Sequence, residues 1–238
     1  MSGAAHLPRR TTLILLAALV ALAGSALVLL RGHDSDSSSP SGPSRGSGVA
    51  ATRIRNVPAF TSVDLAGANN VVVHVGGEQK VVIHADDNLL GRVTTGVHDG
   101  RLVIGSTGSF SARSPMRVDI AVPSLDSVTL SGSGVVTVDG LHATTFTVDV
   151  PGSGVLHVSG TADRLDATLG GSGDVELQGL IAHDATAVVA GSGRLQVHAS
   201  GSLDATVSGV GAIFYSGNPS KVAQSITGTG SIAASSAP

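Results

Sequence analysis

The triplet Gly-x-Gly recurs along the second half of the chain: Gly132-Ser133-Gly134, Gly152-Ser153-Gly154, Gly171-Ser172-Gly173, Gly191-Ser192-Gly193, Gly209-Val210-Gly211 and Gly228-Thr229-Gly230. The interval is about 19 residues. Two residues before each triplet stand Leu130, Val150, Leu169, Val189, Val207 and Ile226, all apolar. Four residues after its first glycine stand Val136, Leu156, Val175, Leu195, Ile213 and Ile232. Apolar and other residues alternate on both sides of the glycines, which is the two-residue period of a strand. The unit is therefore strand, glycine turn, strand, second turn, the second turn marked by pairs such as Asp139-Gly140, Ser159-Gly160, Gln178-Gly179 and Ser216-Gly217.

A unit of this length cannot bury its apolar face alone, but stacked copies can, each strand pairing with its equivalent in the next coil. The sequence thus predicts an all-β chain, a parallel β-helix or solenoid with coils of about 19 residues rising roughly 4.8 Å each. The glycines are its stacked corners, where positive φ or close backbone approach excludes a β-carbon. Composition agrees. Aromatics make up only 2% of the chain while 32 residues are glycine, which suits thin regular β-structure and not a deep-clefted globule.

Residues 52–120 lack the triplet but alternate as strands through Val63/Leu65, Val71/Val73/Val75, Val81/Ile83 and Leu102/Ile104. They are expected to form the opening coils or a β-cap, which an open solenoid end needs against recruiting other strands. Residues 52–238 are accordingly one solenoid domain.

The N-terminus sets the expected compartment. Residues 1–12 form a short basic arm with Arg9 and Arg10, and residues 13–30 are free of charge. That run is long enough to cross a bilayer as a helix, with the arginines holding the N-terminus in the cytoplasm. A cleaved signal peptide, with Ala21-Leu22-Ala23 as its cleavage site, is the rival reading. In the first reading the chain is a single-pass membrane protein with its C-terminal domain extracytoplasmic; in the second it is secreted. Residues 31–51, rich in Ser, Gly and Pro, cannot bury enough apolar surface to order themselves and are expected to be a flexible tether.

Other stretches carry a resemblance. "FTSVDLAGANNVVVHVGG", then "HADDNLLGRVTTGVHDGRLVI" at residues 84–104, then "LDATVSGVGAIFYSGNPSKVAQSITGTGSI" at residues 203–232 together resemble the putative auto-transporter adhesin "head GIN domain" family over about residues 54–233. The resemblance implies a bacterial, extracytoplasmic β-helix and supplies no catalytic residues. Many members look like lipoproteins. This chain has no cysteine, so that mode of attachment does not transfer and the apolar segment 13–30 takes its place.

No catalytic signature, phosphate loop or metal-ligand spacing occurs, and no cofactor or metal is implied. The formal net charge of −3, with no basic patch, argues against nucleic acid as a partner. One cluster invites chemistry. Asp174 and Glu176 lie two apart on the outward face of one strand, with His157 expected beside them from the coil before and Arg194 and Gln196 from the coil after. Carboxylates on such a face could serve a carbohydrate-active enzyme, a polysaccharide lyase or hydrolase. The alternative is cross-strand charge pairing on a solvated face. Asp149, Asp166 and Asp204 occupy the other outer wall at spacings too irregular for a calcium ladder. The leading expectation is a non-enzymatic adhesion or binding module at the cell envelope, its partner a glycan or a protein.

Overall fold

The computed structural model describes residues 44–235. The basic arm 1–12, the apolar segment 13–30 and most of the tether 31–51 lie outside the described residues.

Strands follow the alternation. The first half of the domain contributes β1 (Ser44–Arg45), β2 (Ala50–Arg55), β3 (Ser62–Leu65), β4 (Asn70–Val75), β5 (Lys80–Asp86), β6 (Val93–His98), β7 (Arg101–Ser106), β8 (Phe110–Ser111) and β9 (Arg117–Val122). The second half contributes β10 (Ser127–Leu130), β11 (Val135–Val150), β12 (Val155–Leu169), β13 (Asp174–Val189), β14 (Arg194–Val207), β15 (Ala212–Ser216), β16 (Lys221–Ile226) and β17 (Ser231–Ala234). Among the described residues there is no helix. The strands β10 to β17 stack in parallel as a β-solenoid.

Each coil has one wall before the glycine corner and one after it. On the wall before the corner, Leu65, Leu130, Val150, Leu169, Val189 and Val207 line up one above another. On the wall after it, Val71, Val136, Leu156, Val175, Leu195 and Ile213 do the same. All of these face inward and are buried. At about 1.5–3 kcal/mol for each fully buried Val or Leu, such columns are the main source of stability. Residue size varies along a column: Phe146 and Leu165 are followed in successive coils by Ala185 and then Leu203. Small residues therefore interleave with large ones to fill a narrow interior.

The expected second turn is present at Ser216-Gly217, where β15 ends and Gly217 has a φ of 96°, and is corrected in the coils before it. β11, β12, β13 and β14 each run continuously around both walls, and the bend there is a register slip, between Val138 and Leu141 on β11 and between Leu177 and Ile181 on β13. A bulge bends the chain and leaves its extra residue out of the ladder, as Asp139 and Gly140 are skipped in the register of β11 with β12.

The first half is both coil and cap, in an order the chain does not follow. β3 and β4 form a coil directly beneath β10 and β11. The coil beneath them is made by β7 and β9, which come later in sequence. The chain thus lays down one coil, drops below it, and climbs past it to continue at β10. Antiparallel strands close this lower end: β6 pairs with β7, and β5 with β9 and then β2.

The tether expected over residues 31–51 needs a second correction at its C-terminal end. Residues 44–51 are ordered against the cap, with β1 paired to β8 and β2 to β5. The cause is Asp86, whose buried carboxylate accepts hydrogen bonds from the N–H of Gly48 at 3.0 Å, from the N–H of Arg113 at 2.8 Å and from the hydroxyl of Ser114 at 2.7 Å. Asn88 adds two more links, accepting from the N–H of Ser47 at 3.0 Å and donating to the carbonyl of Arg45 at 2.8 Å. A Ser/Gly segment that cannot order itself is thus ordered by side chains elsewhere.

Candidate functional site

The outward side chains of the wall after the corner form a grid. One coil presents Asp174, Glu176 and Gln178, the next Arg194, Gln196 and His198, and the next Ala212, Phe214 and Ser216. The ladder sets Arg194 between Asp174 and Ala212, and Gln196 between Glu176 and Phe214. His157 stands next to Glu176 from the coil before.

The structure brings Asp174, Glu176 and His157 onto one patch, and each acid has a nitrogen-bearing neighbour. The His157 Nδ1 atom is 3.0 Å from a Glu176 carboxylate oxygen, and the Arg194 guanidinium is 3.7 Å from Asp174. Arg194 also lies over Phe214, 5.8 Å from the ring centroid. The other oxygen of Asp174 is shielded from solvent and has no hydrogen-bond partner. Further His–carboxylate pairs occupy the same wall: His74 with Asp139 at 2.7 Å and His84 with Asp119 at 3.0 Å. Among the described residues no three His, Asp or Glu side chains converge as a metal-ligand set.

The opposite wall is organised differently. Asp149 sits between Thr129 and Thr168, and Asp166 between Thr147 and Thr186, with Asp204 following Thr186. Each carboxylate is separated from the next by a hydroxyl, which spaces like charges along the ladder. A shallow depression on this wall is lined by Arg164, Asp184, Ser202, Asp204 and Lys221. The hydroxyl of Ser202 donates to Asp184, and this, with His183 and Arg164 nearby and despite the opposing effect of burial, holds the Asp184 carboxyl below the usual carboxylate range.

The corners between the walls are backbone on backbone. A β-carbon on Gly152 would meet the carbonyl oxygen of Gly132 at 2.2 Å, and one on Gly191 that of Gly171 at 1.9 Å. The same holds at the second glycine of the triplet: Gly134, Gly154, Gly173, Gly193, Gly211 and Gly230 each face backbone within 2.5 Å, and Gly209 and Gly228 complete the first column. The serines between donate backbone N–H groups to the coil below, Ser153 to Gly132 and Ser172 to Gly152.

Sequence reasoning missed two residues that matter. Asp86 and Asn88 lie in the Ala-Asp-x-Asn-Leu-Leu stretch, but nothing in their neighbourhood along the chain names the loops they hold. That Phe214 has the Gln196 amide as its ladder neighbour required the register.

The stacked parallel coils place the protein in the class of parallel β-solenoids. The sequence matches the family described as putative auto-transporter adhesin, head GIN domain, over residues 59–219, and the chain belongs to that family. No curated protein matches it. Among solved structures, a putative adhesin from Bacteroides fragilis is similar at 24% identity and a TM-score of 0.67, covering 80% of this chain and 99% of that one. A putative adhesin from Parabacteroides merdae is similar at 18% identity and a TM-score of 0.51, covering 81% and 98%. A putative lipid binding protein from Parabacteroides distasonis follows at 20% identity and a TM-score of 0.49, covering 82% and 100%.

Proposed function

We propose that this protein is a non-enzymatic binding module, held by a membrane anchor at residues 13–30 and presenting its solenoid outside the bacterial cytoplasm for adhesion to the cell envelope. The observation that carries the reading is the rigid grid on the wall after the corner, where polar side chains are fixed at ladder spacing on a shallow surface. Such a surface suits an extended polymer contacted at many equivalent points, each weak alone and strong together. The description of the family and of its solved relatives as adhesins supports the same reading.

A polysaccharide-cleaving enzyme built on Asp174, Glu176 and His157 is the second reading. It would need one carboxyl kept as an acid and the other free as a base or nucleophile. The pairing of Glu176 with His157 and the proximity of Arg194 to Asp174 favour a charge-paired surface instead.

The test uses the full chain in mild detergent, mixed with envelope from a bacterium of the same kind before and after protein or glycan digestion. Pelleting that survives protein digestion and disappears on glycan digestion is expected. Failure to pellet with any preparation overturns the binding reading. Turnover of a polysaccharide, lost in the Asp174→Ala, Glu176→Ala double variant, would establish the enzyme.

A further inference from the structure

Phe214 is placed unlike any other ring in the protein. The chain has four phenylalanines, one tyrosine and no tryptophan. Phe60 and Phe146 are buried, and Phe110 and Tyr215 pack against the core. Phe214 stands in an outward column, with the Gln196 position before it and only Ala233 after it. Arg194 closes one side of the ring. Further along the strands from Arg194, a groove of about 260 Å³ is lined by Phe214, Gln178, Gln196, His198, Tyr215, Ser216 and Ser235.

Two side-chain amides stand among the polar groups of this groove, those of Gln178 and Gln196. His198 is already set by a 3.2 Å contact with the Ser216 hydroxyl. The side-chain amides of Gln178 and Gln196 make no hydrogen bond among the described residues. An amide both donates and accepts, so the groove offers uncommitted hydrogen bonding beside a stiff apolar platform, with the acids of the grid drawn toward Arg194 and His157. A ligand that matches has an apolar face edged with donors and acceptors and carries no charge. The volume lies just below the roughly 300–1,000 Å³ of drug-sized sites, which limits the occupant to about one ring.

We infer that this groove is a carbohydrate subsite for one neutral pyranose unit of an envelope glycan, the C–H face of the sugar on Phe214 and its hydroxyl or acetamido groups on Gln178 and Gln196. The inference rests on the reading of the solenoid as an envelope-binding module and locates its contact.

The experiment is saturation-transfer NMR and titration of the full chain in mild detergent with an uncharged β-1,4-linked N-acetylglucosamine oligosaccharide, and in parallel with an acidic oligogalacturonate. Transfer to the ring protons of the neutral sugar is expected, with binding weakened about 10-fold by Phe214→Ala or Gln196→Ala, a loss of the size expected for a stacked ring or a hydrogen bond. Phe214→Tyr keeps the ring and retains binding, and Asp149→Asn, on the opposite wall, leaves it within about twofold. No transfer from the neutral sugar, preference for the acidic one, or binding untouched by Phe214→Ala overturns the proposal. Envelope pelleting that persists in Phe214→Ala alongside any of these results removes the groove and leaves the module reading standing. Loss of pelleting in the unmodified chain removes the module reading itself.

Discussion

Gly152 has the carbonyl oxygen of Gly132 where a β-carbon would have to be, 2.2 Å away. That oxygen accepts the Ser153 N–H of the coil above, so it cannot retreat without breaking the ladder. Gly152→Ala is expected to destabilise the domain by about 1–3 kcal/mol or more, the usual cost of overpacking a rigid site. Gly91 is the contrast, because nothing lies within 4 Å of its would-be β-carbon and its φ is not positive. Gly91→Ala is expected to stay within about 0.5 kcal/mol of the parent; denaturant midpoints of the two variants read the difference. Asp86 acts through charge. The Arg113 N–H and the Ser114 hydroxyl, with the N–H groups of Ser114 and Gly48, hold its carboxyl below its ordinary value of 3.8, against the opposing effect of burial. A folded-state value lower than the unfolded one gives stability that is complete above the unfolded value and lost as pH falls through the folded one. The stability gap between the parent and Asp86→Asn should therefore be constant from pH 5 to 7 and narrow below about pH 4. A gap that widens on acidification would contradict the role given to Asp86.

Among the elements, β11 shows how far alternation reaches. Its inward residues are readable from sequence, and Phe146 among them is fully buried, flanked in its column by Leu165. Phe146→Ala is expected to cost about 3–5 kcal/mol, measured by equilibrium unfolding. The bend in the middle of β11 was readable at Asp139-Gly140, where Gly140 has a φ of 71°, but not that one strand would continue through it, because an Asp-Gly pair in isolation signals a turn that ends a strand. The cap elements were legible as strands but not as a stacking order. Whether β3 pairs with β7 or with its nearer neighbours depends on which long-range pairing buries Leu65 and Ile104, and alternation is the same in either case. Residues 44–49 are a stronger instance. Their composition says tether, and their order comes from Asp86, Asp87 and Asn88 some 40 residues away.

At the scale of the whole molecule, a solenoid is close to one-dimensional, each coil stabilised by its neighbours. β12 and β13 have a coil on both sides, whereas β16 pairs with β14 alone and its residues are all exposed. Opening should therefore be easiest at that end. Amide hydrogen exchange is expected to be at least about 100-fold faster over residues 221–234 than over residues 155–189; uniform protection would mean that the domain opens as one unit.

The sequence by itself determined the solenoid, because the instruction is periodic. Each coil meets a copy of itself about 19 residues away, so local alternation and a repeated glycine corner specify nearly every contact of residues 127–234. The membership of the family was legible for the same reason, the motif stretches being contiguous. Tertiary structure alone decided what is not periodic: the leapfrogged order of the cap, the latch at Asp86, and the grid in which Gln178, Gln196 and Phe214 come to share a groove. Those depend on pairing between segments whose separation along the chain carries no pattern, and on side chains whose partners are backbone groups that every sequence possesses.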